Sequence, residues 1–300
     1  LTSGQDATTL NTPDWLWQSW CQAYGEDAAR QIAAAHLKAP ELDLTVIADA
    51  ASWAQKLDGR LLPTGSIRLP VSTRVQELTG YEYGAWWVQD TAASLPARLF
   101  GKDLVGQKIA DICAAPGGKT AQLLAAGAEV IALDRSDKRL QTLKENLNRL
   151  SLTAETICVD AVSWRPEELL DGVLLDAPCS ATGTIRRHPD VAYLKRPEDV
   201  SHAGQAQFQL LNAATEMVKP GGQIVFATCS LQPQEGPDVI HSFLANHKKW
   251  RRQPIEASEV SNCVEFITEA GDLRTLPCHL ANLGYMDGFF AARLMHALPK

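Results

Sequence analysis

The sequence has no run of eighteen apolar residues, so no membrane-spanning helix is expected. Its first residues, Leu-Thr-Ser-Gly-Gln-Asp-Ala-Thr-Thr, lack the apolar core of a signal peptide. They also lack an initiator Met, and the chain reads as a fragment of something longer. No Cys-x-x-Cys or Cys-x-x-His pair occurs among the seven cysteines. That speaks against zinc, against any other metal site and against a disulfide framework, and for a cytoplasmic protein with reduced thiols. Positive charge is scarce as well: the formal net charge is −7. A polyanionic partner would therefore need a local basic patch. Two nucleotide-binding signatures are missing, the dinucleotide Gly-x-Gly-x-x-Gly and the Walker A loop. This makes a nicotinamide dehydrogenase a poor reading.

What the chain does have is 300 residues, 45% of them hydrophobic, enough for one large or two small domains. Residues 1–12 read as a linker and 13–39 as helical, with Trp15, Trp17, Trp20 and Ile32 packing inward. A strand at 42–47, a helix at 48–57 and a strand at 60–69 broken by Pro63 and Gly65 make a small α+β subdomain over 1–75. Within it, Arg60, Arg68 and Arg74 are open to two readings, a polyanion contact or a solvated surface. The aromatic run into Gln89 and Asp90 either lines a ligand pocket or caps a helix over 91–100.

From residue 105 onward β and α patterns alternate. Strands are expected at 108–113, 129–133, 154–159, 172–175 and 223–228, with helices at 119–126, 136–150, 197–218 and 237–246. Such alternation means a parallel sheet with helices on both faces, whose ligands bind at the carboxyl ends of the strands. The informative residues fall there. The first strand runs into Asp111-Ile-Cys-Ala-Ala-Pro-Gly-Gly-Lys-Thr120, a glycine turn opening a helix whose free N–H groups suit a ligand. The second strand ends in Asp134, placed to accept from a ribose diol. The third ends in Asp160. The fourth ends in Asp176-Ala-Pro-Cys179 and the fifth in Thr228-Cys229-Ser230. Each acid alone is more often a cap or turn residue, but four such strand ends beside one glycine turn are hard to read as capping. Cys179 and Cys229 sit where strands leave the sheet, near helix starts that would lower a thiol pKa, and are candidate nucleophiles. Cys113 and Cys158 read as packing, and Cys21, Cys263 and Cys278 have no evident partners.

These motifs together resemble the RNA cytosine-5 methyltransferases, and most closely the bacterial Sun/Fmu-type small-subunit (16S) rRNA enzymes. Ser180-Ala-Thr-Gly-Thr-Ile-Arg-Arg-His-Pro-Asp190 and Asp287-Gly-Phe-Phe-Ala-Ala-Arg-Leu294 strengthen the likeness, which runs from about residue 75 to the C-terminus. The resemblance implies a Rossmann-like class I S-adenosylmethionine-dependent methyltransferase fold over 76–300. The small α+β subdomain ahead of it would be RNA-recognition-like. It implies S-adenosylmethionine as methyl donor, its methionine end cradled by Cys113, Ala114, Ala115, Pro116, Gly117, Gly118 and Lys119. Asp134 would hold the ribose, with Asp160 and Asp176 completing the pocket. It makes Cys229 the nucleophile and Cys179 the residue that assists product release; in DNA cytosine methyltransferases the Pro-Cys cysteine attacks instead. Such proteins usually carry a further helical RNA-binding domain ahead of this region, for which the chain has no room.

The chemistry needs a thiol because carbon 5 of cytosine is a poor nucleophile until a thiolate adds to carbon 6. Asp176 is the candidate at N3 and N4; as a donor to N3 it would need a pKa raised by burial. The expected RNA patch is Arg186, Arg187 and His188, followed by Lys195 and Arg196. Two other readings remain at this point: a methyltransferase acting on tRNA or another substrate, and a non-catalytic ribosome-assembly module that keeps the fold. The protein reads as a monomer.

Overall fold

The computed structural model describes residues 7–298, so part of the expected linker over 1–12 lies outside the described residues. A short helix α1 (Ala7–Leu10) precedes α2 (Asp14–Tyr24) and α3 (Glu26–His36). The single helical stretch expected over 13–39 is thus two helices. They break at Gly25, whose φ of 83° is the left-handed conformation that favours glycine. Leu16, Trp20, Ala29 and Ile32 are buried, as the tryptophan pattern implied for Trp20, but their partners are Ile185, Ala192 and Leu231. These helices therefore brace the later half of the chain and not the small sheet.

The small sheet comprises β1 (Leu42–Val46), β2 (Arg60–Leu61), β3 (Ile67–Leu69) and β4 (Trp86–Val88), in the order β2-β3-β1-β4 and antiparallel throughout. Helix α4 (Ala50–Lys56) covers it, with Asp49 accepting Ser52 N at its start. Its apolar face, Leu44, Ala54, Ile67, Leu69 and Trp86, forms one cluster. The sheet takes its last strand from residues 86–88, past the expected boundary at 75. Arg68 is buried and ion-paired with Asp43 at 2.6 Å, so the polyanion reading fails for it.

Helix α5 (Leu95–Arg98) then leads into the large sheet; the expected helix over 91–100 is confined to these residues. The parallel core is β5 (Lys108–Ile112), α6 (Gly118–Ala125), β6 (Glu129–Asp134), α7 (Asp137–Arg149), β7 (Glu155–Cys158) and β8 (Leu170–Asp176). After α8 (Val191–Leu194) and the long α9 (Pro197–Ala214) comes β9 (Val218–Thr228). Beyond α10 (Pro237–Asn246) lie β10 (Trp250–Arg252), β11 (Leu273–Thr275) and β12 (Phe289–His296). The order is β10-β12-β9-β8-β5-β6-β7, with β11 also on β12. Strands β5 to β9 run parallel and β12 pairs antiparallel with β9.

The two-residue period of a strand sorts the core. Ala110, Ile112, Val173, Leu175, Ile224 and Phe226 face α9 and α10. Their neighbours Ile109, Leu174, Val225 and Ala227 face Leu95, Leu99 and Leu123 on the other side. Both faces are apolar, which is why these strands read as continuous hydrophobic runs. With the strands covered above and below, only their ends can present polar chemistry. This is the Rossmann-like α/β arrangement expected for the larger part of the chain. The exception to the expected core is Cys158, which is exposed at the sheet edge.

Candidate active site

The glycine turn forms because the backbone after β5 must reverse within a few residues. Cys113 (φ 61°) and Gly117 (φ 102°) both take the left-handed conformation, and Gly117 caps α6. A Cβ on Gly117 would stand 3.0 Å from Leu143 Cγ, so the turn lies pressed against α7. Two side chains lock it. Thr120 donates to Asp111 Oδ2 at 2.6 Å, and Lys119 Nζ to Asp176 Oδ2 at 2.8 Å. Lys119 is buried over the Phe289 ring, 5.0 Å from its centre. Burial, the largest single effect, disfavours its ammonium, but the Asp176 charge and hydrogen bond together with the charges of Asp111 and Cys229 outweigh it, and the Lys119 pKa is raised. Asp111 is wholly buried with Oδ1 unpartnered. Burial, seconded by the nearby Asp176 charge, pushes its pKa up to about 7, against the lowering effect of the Thr120 hydrogen bond.

The strand ends meet around one cavity of about 430 Å³, lined among others by Cys113, Asp134, Asp160, Asp176, Cys179 and Cys229. A second cavity of about 340 Å³ lies across the turn. It takes Ala114, Pro116, Gly117, Gly118 and Lys119, with Trp87, Gln89 and Asp90 opposite; Ala115 and Asp176 border both. Of the two readings for the aromatic run into Asp90, lining a pocket is therefore realised. Asp90 also accepts Ala92 N at 2.8 Å, as a turn-capping residue does.

Asp134 accepts Ser136 N through Oδ1 at 3.0 Å. Its Oδ2 is buried and accepts no hydrogen bond; Arg139 Nη1 lies 3.3 Å away, an ion pair without hydrogen-bond alignment. A buried, unfilled acceptor at the end of the second parallel strand is what a ribose diol requires. The free N–H groups at the start of α6 suit a carboxylate. The residues thus fit S-adenosylmethionine. Asp160 is exposed, with Oδ1 accepting Val162 N at 3.0 Å.

The two thiols face each other, Cys179 Sγ 3.4 Å from Cys229 Sγ. The expectation of a lowered thiol pKa is reversed for Cys179. Its hydrogen bond with Cys229 raises it well above the ordinary value, burial adds to this, and the charges of Cys229 and Glu235 push the same way. Cys113, assigned to packing from sequence, lines the cavity; burial and then the Asp176 and Asp134 charges push its thiol up to about 12. Asp176, considered as a donor to N3, is instead an acceptor in an ion pair.

The expected RNA patch is not a patch. Arg186 is buried, donating to Gly284 O at 3.1 Å with its guanidinium over the Tyr285 ring. Arg187 bridges two buried carboxylates, Asp90 at 2.5 Å and Asp287 at 2.9 Å. His188 and, further on, Arg196 are exposed, and Lys195 is half-buried. Two arginines that read as phosphate contacts are internal ties, because their partners, a carbonyl for Arg186 and two carboxylates for Arg187, lie about a hundred residues away in sequence.

Sequence reasoning also missed Lys119 as the partner of Asp176, and Glu235. The latter sits in a polar run, Gln-Pro-Gln-Glu-Gly, that reads as surface, yet it is buried between the two cysteine-bearing turns.

A family model described as 16S rRNA methyltransferase RsmB/F matches residues 103–295. The ribosomal RNA small subunit methyltransferase B of Vibrio vulnificus is 47% identical over 60% of this chain and 43% of its own length. That of Shewanella oneidensis is 35% identical over 99% of this chain and 70% of its own. The chain therefore spans between less than half and about two thirds of the curated relatives it matches. Among solved structures, NSun6 from Pyrococcus horikoshii with SFG superposes at a TM-score of 0.80 and 18% identity, over 96% of this chain and 99% of that one, a likeness of fold. The turn, the strand-end acids and the paired cysteines thus stand in a chain that belongs to the 16S rRNA methyltransferase RsmB/F family.

Proposed function

We propose that this chain transfers a methyl group from S-adenosylmethionine to carbon 5 of a cytosine in RNA, with small-subunit (16S) rRNA as the substrate. The observation that carries the reading is the pair of thiols 3.4 Å apart, at the ends of adjacent parallel strands, bordering the cavity that holds Asp134 and Asp176. Methylation of nitrogen or oxygen needs no thiol; methylation of carbon 5 does.

Bound S-adenosylmethionine supplies an electrophilic methyl group. The Cys229 thiolate adds to carbon 6 of the ring, and the ring electrons move to carbon 5, which takes the methyl. Charge that develops at N3 and O2 during the addition meets the Lys119 ammonium, while the Asp176 carboxylate accepts from the exocyclic amino group. Donors and acceptors set beforehand in a site shielded from water act most strongly at that moment. A solvent water then takes the carbon 5 proton as base, the C–H electron pair restores the double bond between carbons 5 and 6, and the bond between Sγ and carbon 6 breaks with its electron pair returning to Cys229. Cys179, held as a thiol, hydrogen-bonds the departing sulfur. Its place 3.4 Å from Cys229 Sγ supports this role in release. The base must leave its stack to reach such a site.

The test is label transfer from radiolabelled S-adenosylmethionine to small-subunit rRNA, followed by nuclease mapping of the labelled nucleoside. The reading expects 5-methylcytidine with the wild type and no label with Cys229→Ala. Label transfer retained in that variant, or label at a nitrogen, contradicts it. Label entering only tRNA would keep the chemistry and replace the substrate.

A further inference from the structure

Ser180 follows Cys179 and Ser230 follows Cys229. Between them lies Glu235, at the end of the helical turn Pro233–Glu235 and wholly buried. Its Oε1 accepts Ser180 N at 2.6 Å. Its Oε2 accepts from Ser180 Oγ and Ser230 Oγ, each at 2.5 Å. The Glu235 carbonyl accepts Thr228 Oγ1 at 3.0 Å, which ties the same turn to the end of β9. Gly183 N closes the ring on Cys229 O at 2.9 Å, and Gly288 N donates to Gly183 O at 2.8 Å. A Cβ on Gly183 would stand 2.1 Å from Gly288 O, so this approach requires glycine.

A buried carboxylate is costly unless donors surround it. Here three donors converge on one carboxylate, and they come from two turns fifty residues apart in sequence. Among the described residues Glu235 makes no ion pair, so its hydrogen bonds to the two turns are what hold it. Each of those turns carries one thiol.

We propose that Glu235 is the positioning residue for both cysteines: its carboxylate clamps the turn after β8 to the turn after β9, so that the two thiols meet the same base as one unit. The proposal rests on the function argued above. It adds a group that touches neither base nor methyl donor yet sets the separation of the sulfurs. The Glu235 charge also opposes a thiolate at Cys179, behind the larger effects of the Cys229 hydrogen bond and of burial.

The experiment compares wild type, Glu235→Gln and Glu235→Ala in a glutathione redox buffer, without RNA or methyl donor. The Cys179–Cys229 disulfide is quantified by mass spectrometry of the linked peptides. Two thiols lose two protons and two electrons, the sulfurs join, and one oxidised glutathione becomes two reduced ones. Thiols held together show a high effective concentration in this equilibrium. It falls by about 100-fold in Glu235→Ala and by about tenfold in Glu235→Gln, which keeps the shape but loses the charge and one acceptor. Single-turnover methyl transfer at saturating RNA falls in step, while the KM for RNA and the affinity for S-adenosylmethionine hold. If Glu235→Ala does not fold, Glu235→Gln carries the test. An unchanged effective concentration in a folded variant overturns the proposal, whatever methyl transfer does. A reduced one in a protein whose wild type transfers no methyl supports the clamp and overturns the function it was linked to.

Discussion

Lys119 Nζ stands 2.8 Å from Asp176 Oδ2 and joins the start of α6 to the end of β8. The pair sits on the border of the two cavities, so the glycine turn and the cysteine turn share one electrostatic contact. Because each member acts through the other, their losses should not add. Lys119→Met and Asp176→Asn are each expected to reduce single-turnover methyl transfer by about 100-fold. The double variant should lose little more than either alone. Additive losses would show that the two act separately.

Asp134 offers a buried oxygen with no hydrogen bond at the end of β6, which we propose receives the ribose hydroxyls. Replacing it removes a charged acceptor, so Asp134→Asn should weaken S-adenosylmethionine binding on the order of tenfold to 100-fold. Isothermal titration calorimetry reads this without RNA. Wild-type affinity in that variant would take Asp134 out of the cofactor site.

Arg187 binds Asp90 and Asp287 at once, and both carboxylates are almost fully buried. Arg187→Ala strands them and is expected to cost about 3–5 kcal/mol in urea unfolding. Arg187→Lys, which keeps the charge but not the fork, should lose less. The slope of RNA affinity against salt should stay that of the wild type in Arg187→Lys. A slope reduced by about one phosphate contact would restore the arginine to the RNA surface.

Asp111 ordinarily would titrate at 3.8, but in the folded chain it titrates at about 7. The native state therefore holds a proton that the unfolded state has released. Stability from this group is full below its unfolded value and is lost as pH rises from about 3.8 through about 7, at up to about 1.4 kcal/mol per pH unit. Asp111→Asn, which cannot ionise, should lack this part of the decline when unfolding free energies are compared across that window. Identical pH profiles would show that Asp111 titrates normally.

Much of the parallel sheet was legible in the sequence because the β–α period is local, and so were the residues at its strand ends. The last fifty residues were not. Phe289–His296 is apolar on both faces, and periodicity alone does not separate such a run from a buried helix. Its antiparallel place beside β9 depends on a pairing that the local pattern does not encode. The same holds for Trp86–Val88, which looked like a pocket wall and is also the fourth strand of the small sheet. Arg186 and Arg187 were misread because a basic run beside an active site looks like a phosphate contact until distant Asp90 and Asp287 are placed against it. Glu235 went unnoticed for the opposite reason: nothing in its polar run Gln-Pro-Gln-Glu-Gly marks it, and folding buries it between two serines.

The central claim is the division of labour between Cys229 and Cys179, and one denaturing gel tests it most directly. Wild type, Cys179→Ala and Cys229→Ala are mixed with small-subunit rRNA and radiolabelled S-adenosylmethionine. If Cys229 attacks and Cys179 serves release, Cys179→Ala accumulates a labelled, slowly migrating protein–RNA adduct and Cys229→Ala shows none. An adduct that forms in Cys229→Ala and requires Cys179 would exchange the two roles and contradict the account.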